Sequence, residues 1–198
     1  VLEPGKNPPA AEVSLHHVEK GYTDAEGLQM LASRCAAVST EFENVPAQAL
    51  DTLAKDCFVA PRGRAVGFAQ DRNAEKAFIE YEAKVPVAPN CAILHAEDID
   101  KVDVSLLPGI LKTARLGYDG KGQVTVTTIE ELKEAFESLN RVECILEKRL
   151  KLHREVSVIV ARGANGQTAT FPVCENRHSR GILAQTVMPA RVPEQTAT

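Results

Sequence analysis

Strand and helix alternate in the first sixty residues. Asp24 precedes Leu28 and Leu31 at helical spacing, which predicts a short helix that begins at Asp24. The apolar stretch 36–40 predicts a short strand. A second helix is predicted to begin at Pro46, because proline is favoured at the first helical position. This rhythm is typical of an α/β fold.

The middle of the chain contains a predicted loop followed by a predicted helix. Residues 61–67 combine proline with two glycines, which predicts a loop. Residues 71–84 are rich in Ala, Glu and Lys, and Ala74, Phe78 and Tyr81 fall on one face. We therefore predict a helix there with those three side chains on its apolar side.

After residue 108 the pattern changes to short strands separated by one helix. The predicted strands are 109–112, 123–127, 143–147, 155–162, 168–174 and 182–188. Thr128 and Glu131 have the spacing of a capping box and predict the start of the helix. Asn165 and Gly166 stand between two strand candidates and predict a hairpin. The second part of the chain thus has α+β character.

The composition predicts a globular protein and argues against nucleic-acid partners, membrane contact and a zinc site. The chain has 198 residues, of which 44% are hydrophobic, so it can bury a core. The 23 basic and 27 acidic residues give a net charge of −4 with no basic stripe, so nucleic acid is not an expected partner. No apolar stretch approaches the roughly 20 residues of a membrane span, so we expect no membrane contact and a cytoplasmic location. The five cysteines form no CxxC pair and predict free thiols without a zinc site.

A glycine-rich segment carries the main chemical signal. Gly117, Gly120 and Gly122 allow backbone amides to curl around an anion, and Lys121 adds positive charge. A strand follows instead of a helix, which excludes a Walker A loop and a dinucleotide fingerprint. We predict a flap between two strands that lies over phosphates, with Lys112 reaching them from the preceding strand. The alternative is an ordinary glycine-rich hairpin in solvent.

Two carboxylates near strand ends admit two interpretations. Glu147 ends a strand, where the backbone could pair with an adenine and the carboxylate with ribose hydroxyls. Its simpler explanation is a solvated strand end. Glu155 begins the next strand, and its simpler explanation is a surface carboxylate paired with Arg154 or Lys151.

Three further polar sites also have an ordinary structural explanation. His178 lies in the polar segment 174–181, which we predict to be turn-like, and a lone histidine in a loop is more often structural than catalytic. Arg72 follows Asp71 at a predicted helix start, where a cap and a solvated neighbour explain the pair. The segment around Glu43 fits an ordinary strand-to-helix turn.

Taken together, these motifs resemble those of the N5-carboxyaminoimidazole ribonucleotide synthase family, ATP-grasp ligases of purine biosynthesis. The motifs that carry the resemblance are Glu41 to Pro46, Ala69 to Arg72 with Glu75-Lys76, Lys112, Gly117 to Gln123, Arg154 to Ser157, Glu175 to His178 and Gly181 to Leu183. They cover nearly the whole chain in the right order, so coincidence is improbable.

The resemblance implies an ATP-grasp fold of class α/β, truncated at both ends. Residues 1–64 would be the remainder of a Rossmann-like domain. Residues 65–198 would be the first portion of the ATP-grasp domain, with a flap at about 98–150. ATP would lie between the flap and a larger C-terminal domain.

The resemblance also assigns site residues by motif. ATP would be bound by Arg72, Lys112, Gly117, Tyr118, Asp119, Gly120, Lys121, Gly122, Gln123, Glu147, Lys148, Arg149, Leu150, Glu155 and His178. Tyr118 and Asp119 would also approach the aminoimidazole ribonucleotide, with Glu43 at the border of its pocket. Tyr118, Asp119 and Lys121 would form the catalytic group.

The reaction implied is carboxylation of 5-aminoimidazole ribonucleotide by bicarbonate, driven by ATP with Mg²⁺ through carboxyphosphate. A homodimer is the assembly considered. Another ATP-grasp carboxylase or ligase is the alternative within enzymes, and a noncatalytic nucleotide-binding fragment is the alternative outside them.

Two departures from the family qualify these expectations. The family's opening glycine-rich turn precedes the part matched by Val1, and its Mg²⁺-binding carboxylates follow the part matched by the end of this sequence. We therefore expect an internal piece of the enzyme that contains no metal ligands, binds MgATP weakly and does not turn over alone.

Overall fold

The computed structural model describes residues 1–117, 121–179 and 182–193. Its first part contains four helices and two short strands: α1 (Pro9–Glu12), α2 (Ala25–Arg34), β1 (Ala37–Val38), α3 (Ala47–Leu53), β2 (Phe58–Val59) and α4 (Gly63–Ala69). Strands β1 and β2 are parallel, with Ala37 opposite Phe58. The helix between them makes this a β-α-β unit, as the alternation in the sequence predicted.

Local sequence explains where α2 and α3 begin. The Asp24 side chain caps α2 by accepting a hydrogen bond from the amide of Gly27 at 2.8 Å. Pro46 lies one residue before α3, and Ala49, Leu50 and Leu53 of that helix are buried. Both predicted helices are confirmed, and their apolar faces form the first core.

The loop predicted at 61–67 is wrong, because residues from Gly63 onward form α4. Gly63 reflects a close approach and not a turn: a β-carbon there would lie only 2.5 Å from the backbone oxygen of Ala47 in α3. Val66 is buried on the same side. Glycine thus allows α4 to pack directly on α3.

The helix predicted at 71–84 is α5 (Arg72–Ala77), and one wider turn continues it at Phe78–Glu82. Asp71 caps α5 by accepting from the amides of Asn73 and Ala74 at 3.0 and 3.2 Å. Phe78 stacks on Phe68 with ring centroids 4.6 Å apart. Tyr81 is 66% exposed, so its predicted place on the apolar side is wrong. The wider turn changes the angular spacing and rotates it outward.

A four-stranded antiparallel sheet follows, in the order β3-β6-β4-β5. Its elements are β3 (Asn90–Ile93), β4 (Gly109–Thr113), β5 (Gln123–Val126), α6 (Ile129–Ser138) and β6 (Cys144–Lys148), with short 3₁₀ turns at Ala96–Lys101 and Val104–Leu106. The sequence did not predict β3. Thr128 caps α6 by accepting from the amide of Glu131 at 3.1 Å, which confirms the predicted start.

The two faces of this sheet differ in chemistry. Leu111 and Leu146 point to α6 and form a second core with Leu132 and Phe136. Side chains alternate along a strand, so Lys112 and Glu147 lie on the opposite face. On that side α5 contacts β6, and Asn73 Nδ2 donates to the backbone oxygen of Cys144 at 3.4 Å. Charged residues therefore line the sheet face next to α5.

The last described part consists of short strands, β7 (Glu155–Ser157), β8 (Val160–Arg162), β9 (Thr168–Thr170), β10 (Cys174–Ser179) and β11 (Ile182–Val187). They form a sheet in the order β11-β10-β7 and a separate β8-β9 hairpin. The hairpin predicted at Asn165-Gly166 is confirmed, and Gly166 has a φ of 83°.

Two strand predictions and one turn prediction in this part need correction. The strand predicted at 155–162 is two strands, and β7 and β8 pair with different partners. The strand predicted at 168–174 ends at Thr170, because Pro172 follows and lacks an amide donor. The turn-like segment predicted at 174–181 forms β10 through Ser179. Here cross-strand pairing outweighs the low strand propensity of a polar sequence.

Within the described ranges, no helix is long and apolar enough to cross a bilayer.

Replacement of Gly63 tests the α3–α4 contact. Gly63→Ala should lower the free energy of unfolding by about 1–3 kcal/mol, because the new methyl group meets backbone that cannot move aside. Urea unfolding followed by circular dichroism measures the effect.

Gly67→Ala is the matched control within the same helix. A β-carbon at Gly67 would lie 3.4 Å from Ala47 Cβ, so stability should be unchanged or slightly higher. Equal stability of both variants would contradict the packing described for Gly63.

Candidate functional site

The glycine-rich segment connects β4 to β5, as predicted for a flap between two strands. Its base is closed by a hydrogen bond from the Thr113 amide to the Gly122 oxygen at 2.8 Å. Gly122 has a φ of 69°, and a β-carbon there would lie 2.7 Å from Thr113 Oγ1. Any other residue would be strained at this φ and would crowd the Thr113 side chain. Tyr118, Asp119 and Gly120 lie outside the described residues, so their roles stay predictions.

The start of α5 is attached to the base of this loop. The Arg72 amide donates to the Ala114 oxygen at 2.9 Å, and Arg115 pairs with Asp71 at 2.9 Å. A β-carbon at Gly117 would lie 3.4 Å from Arg72 Nη2. The Arg72 guanidinium therefore lies against the glycine loop, although sequence reasoning alone explained it as a solvated neighbour of Asp71.

Glu147 lies between two lysines on the charged face of the sheet. Its Oε2 atom is 3.1 Å from Lys112 Nζ and 3.6 Å from Lys76 Nζ. The Glu147 side chain is only 11% exposed, and the lysine side chains are 22% and 23% exposed. The simpler interpretation of Glu147 as a solvated strand end is therefore wrong.

One carboxylate faces two ammonium groups there, which leaves an excess positive charge. We call Lys76 and Lys112, together with Arg72 on the same side of α5 as Lys76, the cation cluster. Water screens charges at such partly buried positions less than at the surface, so the cluster favours an anion beside it. Gln123 is paired with Lys112 across the β4–β5 ladder, and the glycine loop, which includes Lys121, is connected to the same strands.

Lys76 was not among the predicted site residues, although the sequence contained a signal for it. Lys76 is four positions after Arg72 on α5, so the two side chains lie on one side of the helix. A second cation one helical turn after Arg72, which the resemblance assigns to ATP, is the pattern that could have identified it.

The segment after Glu147 leaves the sheet through backbone hydrogen bonds. The Lys148 amide donates to the Pro89 oxygen at 2.8 Å, and the Arg149 amide donates to the Pro108 oxygen at 2.9 Å. These two amides are therefore already bonded within the protein. Leu150 is exposed beyond them. The predicted contacts of residues 147–150 with adenine and ribose stay predictions.

A second polar group lies on the last sheet. His178 Nδ1 is 3.1 Å from Glu155 Oε2, where a bulge in β10 displaces His178 relative to its neighbours. Glu155 was expected to pair with Arg154 or Lys151, and that expectation is wrong. Arg154 instead pairs with Glu175 at 3.0 Å. Glu155 and His178 thus form a half-exposed carboxylate–imidazole pair.

Glu175 is a buried carboxylate that sequence reasoning missed, because its segment was interpreted as a turn. It is 7% exposed. Arg154 Nη1 and Arg177 Nη2 lie 3.0 and 3.6 Å from its oxygens. Burial opposes ionisation, but the charge of Arg154, then a backbone hydrogen bond from Arg191 and then the charge of Arg177 hold the pKa of Glu175 below its usual range. The carboxylate therefore connects β10 to the flanking segments in its charged form.

Glu43 is connected to the α5 end of the site through the backbone. Its carbonyl oxygen accepts from Gln70 Nε2 at 2.6 Å, and Gln70 also donates to the Val45 oxygen. Gln70 is two residues before Arg72, and the Glu43 side chain is exposed. The structure thus brings the Glu43 segment towards the start of α5.

Across the described ranges, no group of three or more His, Cys, Asp or Glu side chains could hold a metal ion. Glu147 and Glu175 are already paired with cations and Glu155 with His178, so these three carboxylates do not fit a magnesium site, and we assign no metal ligand among them.

Two known domain families match nearly the whole chain. Residues 1–70 match the model of the ribonucleotide synthetase preATP-grasp domain, and residues 79–198 match the model of the ATP-grasp domain. The chain belongs to the ATP-grasp family. The predicted ATP-grasp fold of class α/β is confirmed, whereas the predicted division at residue 64 stays a prediction.

The resemblance of this ATP-grasp chain to N5-carboxyaminoimidazole ribonucleotide synthases is also confirmed. It is 40% identical to the synthase of Brucella melitensis, over 100% of this chain and 55% of the relative. The solved Staphylococcus aureus N5-carboxyaminoimidazole synthetase in complex with ADP is 35% identical, with a TM-score of 0.87 over 98% of this chain and 52% of that one.

A more distant solved structure has a second bound molecule. The N5-carboxyaminoimidazole synthase of Aspergillus clavatus, in complex with ADP and 5-aminoimidazole ribonucleotide, is 25% identical, with a TM-score of 0.82 over 97% of this chain and 52% of that chain. The ATP-grasp chain described here thus spans about half the length of the relatives it matches.

The lowered pKa of Glu175 predicts how the stability of the folded chain changes with pH. A carboxylate whose pKa is lowered by folding stabilises the folded state above its unfolded pKa, and this contribution disappears as the pH falls through the folded value. Wild type should therefore be more stable than Glu175→Gln at pH 7.

This advantage should shrink steadily as the pH falls below the ordinary glutamate range. Urea unfolding of both proteins at pH 3 to 7 measures the difference, with Glu130→Gln on the exposed side of α6 as the control. A difference between wild type and Glu175→Gln that does not change with pH would contradict the charged state assigned here.

Proposed function

We propose that this chain forms the phosphate-binding portion of an ATP-dependent carbon–nitrogen ligase that carboxylates 5-aminoimidazole ribonucleotide with bicarbonate. The observation that carries the proposal is the placement of Arg72 and Lys112 beside the glycine loop. The names of the related synthases, and their complexes with ADP and the ribonucleotide, support the choice of nucleotide and substrate.

In this proposal the charged sheet face receives the phosphates of ATP. Lys112 and Arg72 offset negative charge from two sides, and backbone amides of the loop from Gly117 to Gln123 donate to phosphate oxygens. Residues 147–150 would contact the adenosine part. The pair of Glu155 and His178 would face the nucleotide from the last sheet.

The proposed chemistry has two steps. A bicarbonate oxygen attacks the γ-phosphorus, the bond from phosphorus to the bridging oxygen breaks, and ADP leaves. The amine nitrogen of the ribonucleotide then attacks the carbon of carboxyphosphate, phosphate leaves, and the nitrogen loses a proton. Neither step needs a nucleophile from the protein, so the chain contributes positioning and charge.

The remaining assignments are part of the same proposal. Tyr118, Asp119 and Lys121 would lie over the reacting groups as the catalytic set, with Glu43 beside the ribonucleotide. Magnesium would accompany ATP and balance its phosphate charge, and we assign it no ligand and no step. A cytoplasmic location fits a biosynthetic enzyme, and the homodimer stays a prediction.

Replacement of Lys112 tests the phosphate site directly. ADP at about 100 times its dissociation constant should raise the free energy of unfolding of the wild-type chain by roughly 2.7 kcal/mol. Lys112→Ala should lose most of this gain at the same ADP concentration, because the ammonium group no longer offsets phosphate charge. Thermal unfolding with and without ADP measures it.

Lys133→Ala is the matched control, because Lys133 pairs with Asp100 on the exposed side of α6. It should keep the full gain from ADP. A Lys112→Ala variant that is less stable but keeps the gain would contradict the proposed role and favour a structural one.

The substrate is tested on the protein encoded by the complete reading frame that contains these residues. Release of ADP should require both bicarbonate and 5-aminoimidazole ribonucleotide. Release that continues unchanged without the ribonucleotide would contradict the proposed substrate and favour another ATP-grasp ligase.

A further inference from the structure

Lys76 occupies a position on α5 that connects both sides of the proposed site. It follows Arg72 by one helical turn, so the two side chains extend from the same side of the helix. The Arg72 guanidinium lies against Gly117, and Lys76 Nζ lies 3.6 Å from Glu147 Oε2. Helix α5 thus presents one cation to the glycine loop and another to the charged sheet face.

The contacts of Glu147 show how Lys76 changes the charge balance around Lys112. Both Lys76 and Lys112 approach the same carboxylate oxygen, at 3.6 and 3.1 Å. Without Lys76, the carboxylate and Lys112 would form an electrically neutral pair. With Lys76 present, one negative charge is divided between two positive charges, and the group as a whole is cationic.

Burial increases the effect of this charge balance. All three side chains are less than a quarter exposed, so their charges interact more strongly than they would in bulk water. Such a group attracts an anion only if its charges do not cancel. The third charge therefore determines whether Lys112 can attract a phosphate.

We infer that Lys76 is a positioning residue of the phosphate site, which acts through Glu147 to keep the charge of Lys112 available to the nucleotide. This inference rests on the proposed function, since it assumes that Lys112 faces phosphate. The ligand it favours is the polyphosphate part of a nucleoside diphosphate or triphosphate and not the nucleoside.

The experiment measures the affinity of ADP and of adenosine for the full chain by calorimetric titration. Lys76→Met should weaken ADP binding by at least about fivefold, the effect of one charge at contact distance in water, and leave adenosine binding unchanged. Lys76→Arg keeps the charge and should bind ADP nearly as wild type does. Lys133→Met is the surface control and should match wild type.

A double variant separates charge balance from a purely structural ion pair. Lys76→Met combined with Glu147→Gln removes the carboxylate that would otherwise neutralise Lys112, so it should bind ADP more tightly than Lys76→Met alone. If Lys76→Met does not fold, the double variant is compared with Glu147→Gln, and weaker binding of ADP but not of adenosine is the expected result.

The results that would contradict the role of Lys76 differ from the result that would contradict the proposed function. If wild type binds ADP and Lys76→Met binds it equally well, Lys76 has no such role and the proposed function is unaffected. A loss of ADP and adenosine binding by the same factor, without recovery in the double variant, would assign Lys76 a structural role. If wild type does not bind ADP, the proposed function itself fails, and the inference fails with it.

Discussion

The arrangement of the site depends on one partly buried ion group, in which the carboxylate of Glu147 is shared by Lys76 and Lys112. A charge removed from water needs partners, so the sheet face that carries Glu147 must be covered by cations. One cation comes from the neighbouring strand and the other from α5. The same contact therefore places α5 against the sheet and leaves positive charge beside the glycine loop.

Short-range sequence features hold the elements that meet at this group. Asp71 caps α5 and also pairs with Arg115, which fixes the start of the helix at the base of the glycine loop. On the other side of the sheet, the apolar face of α6 packs on β4 and β5 and shares a core with Leu146 of β6. The charged face is thus a consequence of alternation: strands that bury Leu111 and Leu146 on one side present Lys112 and Glu147 on the other.

Much of this fold could be predicted from sequence because the signals were local. Caps at Asp24 and Thr128 and the turn at Gly166 each satisfy nearby backbone groups, and the structure confirms them. Long-range contacts account for the failures. Gly63 looked like a loop residue because its sequence does not show that α3 passes within contact distance. The polar strand β10 forms because β7 and β11 pair with both of its edges.

In the candidate site, too, the local features could be predicted from sequence and the long-range contacts could not. The glycine loop could be placed between two strands from its composition, whereas the burial of Glu147 and its sharing by two lysines depend on the meeting of α5 and β6. The most direct measurement is an NMR titration of the isotopically labelled chain with ADP and, separately, with adenosine. The account predicts that the amide signals of Arg72, Thr113 and Gly122 shift together with ADP and do not shift with adenosine. Shifts confined to other parts of the chain, with these three signals unchanged by ADP, would contradict it.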